Sequence, residues 1–494
     1  MTTPTVEELT IAAVHDAFRS GAYTARELVQ AYLDRIEVID KTGPALNSII
    51  TVSSTALEEA DALDARMAET GDLVGPLHGV PIVVKDQVET AGIVTTFGSE
   101  TGADYLPEGD ATVITKLIEA GAIILGKTTM PDFATSWFST SSRSGTTKNP
   151  YDLSRDPGGS SSGSAAAVAA SLALVGIGED TGGSIRLPAS FCNLVGIRVT
   201  PGLISRAGMS SLVVPQDTAG PMARTVKDAA IVLDALVGFD DADLYTAAFA
   251  IANVPTPYAL AAENTSVAGL RFGILRQAFG DAADPDGASV NSVMDSALSA
   301  LESAGATLVE IEIPDLDYFV GYTSVYFTRS LEDMNAFLAS RPGLPESMQQ
   351  IHADKKYHPK LDLLEGIATG PSTAKDDPEY LDRILQQGEF QRRVIAQMAH
   401  NSIDALVFPD TKLPAPTTAD VFSEKWTCLT YPTNTVIASQ LHFPAMTIPA
   451  GFTAGGLPVG LELVTLPYHE TELISMGAGV ETVTAARRAP SFDV

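Results

Sequence analysis

An α/β fold with a largely parallel sheet is predicted by three observations. Short apolar runs bounded by turn residues recur along the chain, as buried strands require. They alternate with amphipathic helical stretches, the pattern of a sheet covered by helices. The composition, 45 % hydrophobic and 19 % charged over 494 residues, is that of a globular protein large enough for one big core or two to three domains.

The elements follow in order. Thr5-Val-Glu-Glu8 and Thr24-Ala-Arg-Glu27 both read as capping boxes. Ile11, Val14 and Phe18 mark one helix face; Leu28, Tyr32 and Ile36 mark the next; a third helix starts at Thr55. Residues 1–74 are expected to form a helical layer. From Gly75 the pattern changes, and a core is expected over 75–314. Val80-Pro-Ile-Val-Val84 predicts a buried strand ending on Lys85-Asp86. A helix from Thr112 to Ala120, a strand at Ala122–Leu125, strands at Leu172–Ile177 and Val195–Val199, and a helix at Thr225–Val237 continue the alternation. Leu270–Leu275, a helix over 289–304 and Thr307–Ile313 come next. Residues 315–400, richer in charge and aromatics, read as a helical and looped insertion or cap. Ala405–Phe408, Ala445–Pro449 and Leu461–Val464 return strands to the core within 401–494, and a helix over 471–486 closes the chain.

The formal net charge of −30, from 61 acidic and 31 basic residues, disfavours direct contact with nucleic acid. Two cysteines and seven histidines without ligand spacing give no expectation of a disulfide framework or a metal site. No apolar run is long and unbroken enough to span a bilayer, and no signal peptide is visible. A soluble cytoplasmic protein, monomer or homodimer, is the expectation.

Chemistry concentrates between Asp156 and Pro188. Two Gly/Ser turns, around Ser160 and Ser184, are joined by residues almost all small or apolar. Such a segment suits a place where backbones approach closely, so each turn would present a serine and backbone N–H groups in a dry setting. Two single motifs compete with this reading. Gly121-Ala-Ile-Ile-Leu-Gly126-Lys127-Thr128 has Walker A spacing, but its middle residues are themselves a strand that follows a helix, the wrong context for a phosphate cradle. Gly159-Ser-Ser161-Ser-Gly163 matches a nucleophile elbow, yet turn formers precede it where a strand is required. Ser162 and Ser164 read as cap and packing residues. A serine nucleophile needs a base, and with no histidine in the glycine-rich core a lysine of depressed pKa is the available one. Lys85 has that profile at the end of its buried run. Taken alone, a lysine there is as readily a solvated charge at the sheet rim.

Three segments together resolve the choice: Gly79-Val-Pro-Ile-Val-Val-Lys85-Asp, Gly158-Gly-Ser160-Ser-Ser-Gly-Ser-Ala-Ala-Ala and Asp180-Thr-Gly-Gly-Ser184-Ile-Arg186-Leu-Pro-Ala-Ser-Phe-Cys192. Their combination resembles the amidase signature family. Supporting similarity runs from about residue 5 to 225 and resumes at Asp404-Ala-Leu-Val-Phe-Pro and Phe443-Pro-Ala-Met-Thr-Ile-Pro-Ala-Gly. The resemblance implies a mixed, mostly parallel central sheet covered by helices on both faces, and a Ser–cis-Ser–Lys triad. Ser184 would be the nucleophile, Ser160 the bridge after a cis peptide bond, and Lys85 the neutral base. Backbone N–H groups of Thr181, Gly182, Gly183 and Ser184 would form the oxyanion hole, while Asp180 and Arg186 hold the loop. By position, Ala134, Ser136, Trp137 and Gln216 are candidates for substrate binding. Glu179 stands where the family usually has a small residue, and its charge is expected to point away from the site. The implied activity is hydrolysis of a small-molecule carboxamide, with aryl amides, esters or carbamates also compatible and no cofactor. Two alternatives remain: a glutamine amidotransferase component that works with partner chains, and a catalytically silent binding scaffold.

Overall fold

A computed structural model describes residues 4–252 and 257–492. Eleven strands form one sheet: β1 (Ile49–Val52), β2 (Pro81–Lys85), β3 (Ile123–Thr128), β4 (Val175–Asp180), β5 (Val195–Arg198), β6 (Thr218–Ala223), β7 (Arg271–Leu275), β8 (Thr307–Ile311), β9 (Ala405–Pro409), β10 (Ala445–Phe452) and β11 (Pro458–Val464). Their spatial order is β1-β3-β2-β4-β6-β5-β10-β11-β9-β7-β8. The sheet is mixed. β2 pairs in parallel with β3 and β4, and β7 with β8 and β9; the six other pairs are antiparallel, so parallel pairs do not predominate. The difference has two sources. β6 inserts antiparallel between β4 and β5, and β10–β11 is a hairpin across the middle of the sheet.

β1 and β6 escape a reading by pattern. β1 has four residues within an otherwise helical stretch. β6 reads Thr-Ala-Gly-Pro-Met-Ala, and glycine and proline ordinarily argue against an interior strand. The Thr24–Glu27 capping box is present, with Glu27 N–H donating to Thr24 Oγ1 at 3.2 Å and Thr24 N–H donating to Glu27 Oε2 at 3.0 Å. The Thr5–Glu8 box is not. The first helix begins at Ile11 with Thr10 as its cap, and Glu8 has a positive φ of 52°.

Both faces of the sheet are covered, and strand alternation decides which side chain goes where. On β9, Ala405 and Val407 enter the large core beneath the helix Pro285–Ser303. Leu406 and Phe408 enter a second core with Phe390, Val394 and Leu441. The joining segment after Ser160 is the helix Ser162–Ala169, every residue of it buried. Its small residues have a steric cause: a Cβ at Gly163 would lie 2.2 Å from the Ser48 carbonyl oxygen and 2.4 Å from Thr129 N. Residues 316–401 supply the helices Leu316–Tyr322, Tyr326–Ala339, Met348–Ala353, Asp362–Ala368 and Tyr380–Asn401. Part of this segment packs on Phe97, Phe133, Leu212 and Val213, beside the end of the sheet where β2 and β4 finish.

Candidate active site

Parallel pairing of β2 and β4 brings two strand ends together, Lys85 on one and Glu179-Asp180 on the other. Ser160 reaches the same point from the turn before the small-residue helix, and its peptide bond to Gly159 is cis. Lys85 is fully buried, and its Nζ lies 2.8 Å from Ser160 Oγ, 3.3 Å from the Glu179 carbonyl oxygen and 3.4 Å from Glu179 Oε2. Burial pushes the Lys85 pKa down, against the pull of Glu179, Asp180 and Asp217. Ser184 is 3 % exposed, and its carbonyl accepts from the Ser161 N–H at 3.2 Å. Among the described residues its hydroxyl has no hydrogen-bond partner, so the structure joins Lys85 to Ser160 and ties the Ser184 backbone to the residue after Ser160.

The loop from Thr181 to Ser184 is held by charge. Asp180 Oδ1 accepts from Gly183 N–H at 2.8 Å and from Arg198 Nη1 at 3.0 Å; Oδ2 accepts from Ile185 N–H at 3.2 Å and Arg186 Nε at 3.1 Å. Burial alone would raise the Asp180 pKa, but Arg186 and Arg198 hold it well below the usual carboxylate range. Asp180 and Arg186 thus act as braces. The Gly183 N–H is consequently occupied, which leaves Thr181, Gly182 and Ser184 as the available donors of the four expected. Glycine is required here: a Cβ at Gly182 would sit 2.2 Å from Tyr326 Oη, and one at Gly183, where φ is +127°, 1.8 Å from Thr435 Oγ1.

The pocket candidates fall in two groups. Gln216 Nε2 donates to the Thr181 carbonyl at 2.6 Å, bracing the loop from outside. Trp137 and Tyr326 flank Gly182, Trp137 Cζ2 lying 3.5 Å from where a Gly182 Cβ would be. Ser136 Oγ accepts from Phe138 N–H at 3.0 Å and Ala134 has a φ of 63°, so both shape the backbone that carries Trp137.

Glu179 does not point away. Its carboxyl is 2 % exposed and faces Lys85, with Oε1 2.9 Å from Thr181 Oγ1. It lies at the end of a central strand with little access to water, and its nearest polar groups belong to the site. Thr435 and Asp217 carry no sequence signal of a role here. Thr435 Oγ1 donates to the Gly182 carbonyl at 2.9 Å, and Asp217 Oδ1 lies 2.6 Å from Thr181 Oγ1. Both sit in stretches without a motif. Lys127, the Walker-like lysine, is buried in β3 and donates to the Val88 carbonyl and to Thr95 Oγ1, a bracing role. Ser161 Oγ lies 3.3 Å from both Glu179 N and Glu179 O, so it ties turn to strand. Ser164 Oγ bonds Thr128 Oγ1 at 2.7 Å and donates to the Ile177 carbonyl at 3.1 Å, as packing would have it.

Known proteins share this architecture. The amidase family model matches residues 27–474. A glutamyl-tRNA(Gln) amidotransferase chain of Desulfatibacillum aliphaticivorans is 33 % identical over 97 % of this chain and 98 % of its own; its counterpart from Halorhodospira halophila is 34 % identical over 97 % and 98 %. The native peptide amidase of Stenotrophomonas maltophilia superposes with a TM-score of 0.85 at 33 % identity, covering 99 % of each chain. The corresponding glutamyl-tRNA(Gln) amidotransferase chain from Thermotoga maritima superposes with a TM-score of 0.79 at 25 % identity, covering the whole of both chains. With the fold shared end to end, the chain belongs to the amidase signature family.

Proposed function

We propose that the protein hydrolyses the C–N bond of a small carboxamide through an acyl-enzyme on Ser184. The observation that carries this reading is the 2.8 Å contact between Lys85 Nζ and Ser160 Oγ in a fully buried setting. Ser184 Oγ attacks the carbonyl carbon and passes its proton to Ser160 Oγ, whose own proton goes to the Lys85 amine. The developing oxyanion takes the N–H groups of Thr181, Gly182 and Ser184, each worth about 3–4 kcal/mol. The ammonium of Lys85 then protonates the departing amine through the same bridge. Water repeats the sequence on the acyl-enzyme and frees the acid.

Trp137 and Tyr326 beside Gly182 favour a substrate with an apolar or aromatic group near its amide. The likeness to peptide amidase over 99 % of both chains makes peptide amides the first class to test. The net charge of −30 argues against direct contact with nucleic acid. A second reading, an amidotransferase component passing ammonia from glutamine to a partner chain, is favoured by the relatives at 33–34 % identity. Ammonia or amine release from peptide amides, anilides and glutamine by the purified chain separates the two. Turnover of amides by the chain alone supports the first, and glutaminase activity only with partner chains supports the second. Ser184→Ala and Lys85→Ala are each expected to abolish turnover; near wild-type rate in Ser184→Ala overturns the proposal.

A further inference from the structure

Counting protons around Lys85 gives Glu179 a role. Three oxygens surround Lys85 Nζ, and either an ammonium with three N–H groups or an amine with two and a lone pair can meet them. Thr181 decides between them. Its Oγ1 lies 2.9 Å from Glu179 Oε1 and 2.6 Å from Asp217 Oδ1, and it has one proton for two carboxyl groups. Were both ionised, one contact would press hydroxyl lone pairs against a buried anionic oxygen, which is costly. One of the two carboxyls therefore carries a proton. Asp217 is the ionised one, because its oxygens accept the N–H of Leu212 at 2.9 Å and of Val213 at 3.0 and 3.1 Å. Among the described residues no backbone N–H donates to the Glu179 carboxyl.

We infer that Glu179 is a positioning residue for Lys85: its carboxyl is protonated in the resting enzyme, donates to Thr181 Oγ1, and accepts from an unprotonated Lys85. Thr181 donates its own hydroxyl hydrogen bond to Asp217 Oδ1. The two Lys85 N–H groups go to the Glu179 carbonyl oxygen and Oε2, and the remaining lone pair faces the Ser160 hydroxyl. A neutral acid at this place does not draw a proton onto Lys85 as a carboxylate would. During turnover the proton from Ser160 moves to Lys85 Nζ and back to the leaving amine, while Glu179 keeps its own. This inference rests on the Ser184 acyl-enzyme reading.

The surroundings agree. Burial pushes the Glu179 carboxyl up to about 7, with Lys85 opposing and Asp217 adding. The groups facing it are Lys85 from β2, Asp180 on its own strand, Asp217 before β6, Arg198 from β5, and Tyr326 from the cap helix. Arg198 is taken by Asp180 at 3.0 Å. Across the small cavity that Glu179 helps to line, Arg206 pairs with Asp243 and the nearby Asp333 with Arg329. Those cations are matched by carboxylates of their own.

The test is a pH profile of kcat/KM on an amide substrate, with infrared difference spectra. Glu179→Gln keeps an acceptor for Lys85 and a donor for Thr181, whereas Glu179→Ala keeps neither. Glu179→Ala is expected to lower kcat about 100-fold with little change in KM, and Glu179→Gln to recover at least about tenfold of that loss. The acid limb, where Lys85 takes up a proton, is expected to stay within about half a pH unit of wild type in Glu179→Gln. The spectrum of Ser184→Ala minus that of Ser184→Ala/Glu179→Gln is expected to show the C=O stretch of a protonated carboxylic acid. An acid limb moved down by more than about one unit, or loss of an ionised carboxylate band instead, overturns the inference, since an anion would then have held the proton on Lys85. If Glu179→Ala does not fold, the Gln variant and the spectra decide. Fluorophosphonate labelling of Ser184 in the wild type checks the underlying reading separately, and the spectra report on Glu179 whatever that result.

Discussion

Asp180→Asn is the most informative single change, because one carboxylate serves both the stability of the core and the shape of the turn from Thr181 to Ile185. Asp180 receives two backbone N–H groups of that loop and two buried guanidiniums. Arg186 retains Glu462 after the substitution. Among the described residues Arg198 has no other carboxylate within salt-bridge range. Asparagine is nearly isosteric, but its NH₂ must face donors at Ile185 N–H or Gly183 N–H, and Arg198 becomes an unmatched buried charge. Breaking a buried pair in this way costs about 3–5 kcal/mol. With an unfolding entropy near 2.1 cal/mol/K per residue, 494 residues give about 1 kcal/mol per kelvin, so the melting temperature falls by about 3–5 °C. Scanning calorimetry reads the shift, and the rate of fluorophosphonate labelling reads the loop, expected to fall about 100-fold. A melting temperature within about 1 °C of wild type, together with labelling within about twofold, would refute the reasoning.

Three further outcomes are expected. Gly183→Ala places a Cβ 1.8 Å from Thr435 Oγ1 at a φ of +127°, so labelling of Ser184 should drop by at least about 100-fold; wild-type labelling would show that the loop is loosely packed. Glu481, which accepts from Val226 N–H at 2.9 Å, is pushed up to about 7 by burial. A carboxyl raised in the folded state contributes stability that is present below its unfolded value of 4.5 and lost as pH rises through 7. Glu481→Gln should therefore gain about 2 kcal/mol over wild type near pH 8 and nothing near pH 4, as chemical denaturation at both would show; the figure is reduced from about 3 because the side chain is only half-buried. Lys127→Ala removes hydrogen bonds to the Val88 carbonyl, which keeps Thr90 Oγ1 at 3.1 Å, and to Thr95 Oγ1, which keeps the Ile93 carbonyl at 3.3 Å, at about 1 kcal/mol each, so melting should fall while ATP stabilises neither form; ATP-dependent stabilisation of the wild type alone would restore the phosphate-cradle reading.

Legibility along the chain followed the range of the interactions involved. The strands at β2, β3, β5, β7, β9 and β11 could be placed because each is a local apolar run whose turn signals lie next to it. β6 could not, because its Gly220-Pro221 is tolerated only through pairing with β4 and β5, both distant in sequence. The Thr5–Glu8 spacing met the capping rule, but the chain turns at Glu8 and the helix starts after Thr10. Glu179 looked like a charge to be turned outward, yet at the end of a central strand almost no outward direction exists. Thr435 and Asp217 gave no signal, since a threonine and an aspartate outside any motif take meaning only from the loop they touch.

By itself, then, the sequence determined the family: three short segments whose lysine, serines and glycines stand at the spacing of the amidase signature, and whose small residues require close backbone approach. The tertiary structure decided how those groups are charged and held. Pairing of β2 with β4 and burial of both strand ends set Lys85 against Ser160 and Glu179, and Arg198 and Thr435 reached the loop from other parts of the fold. The reason is physical. Side-chain chemistry is a local property written residue by residue, whereas protonation and positioning depend on desolvation and on neighbours that only folding brings within a few ångströms.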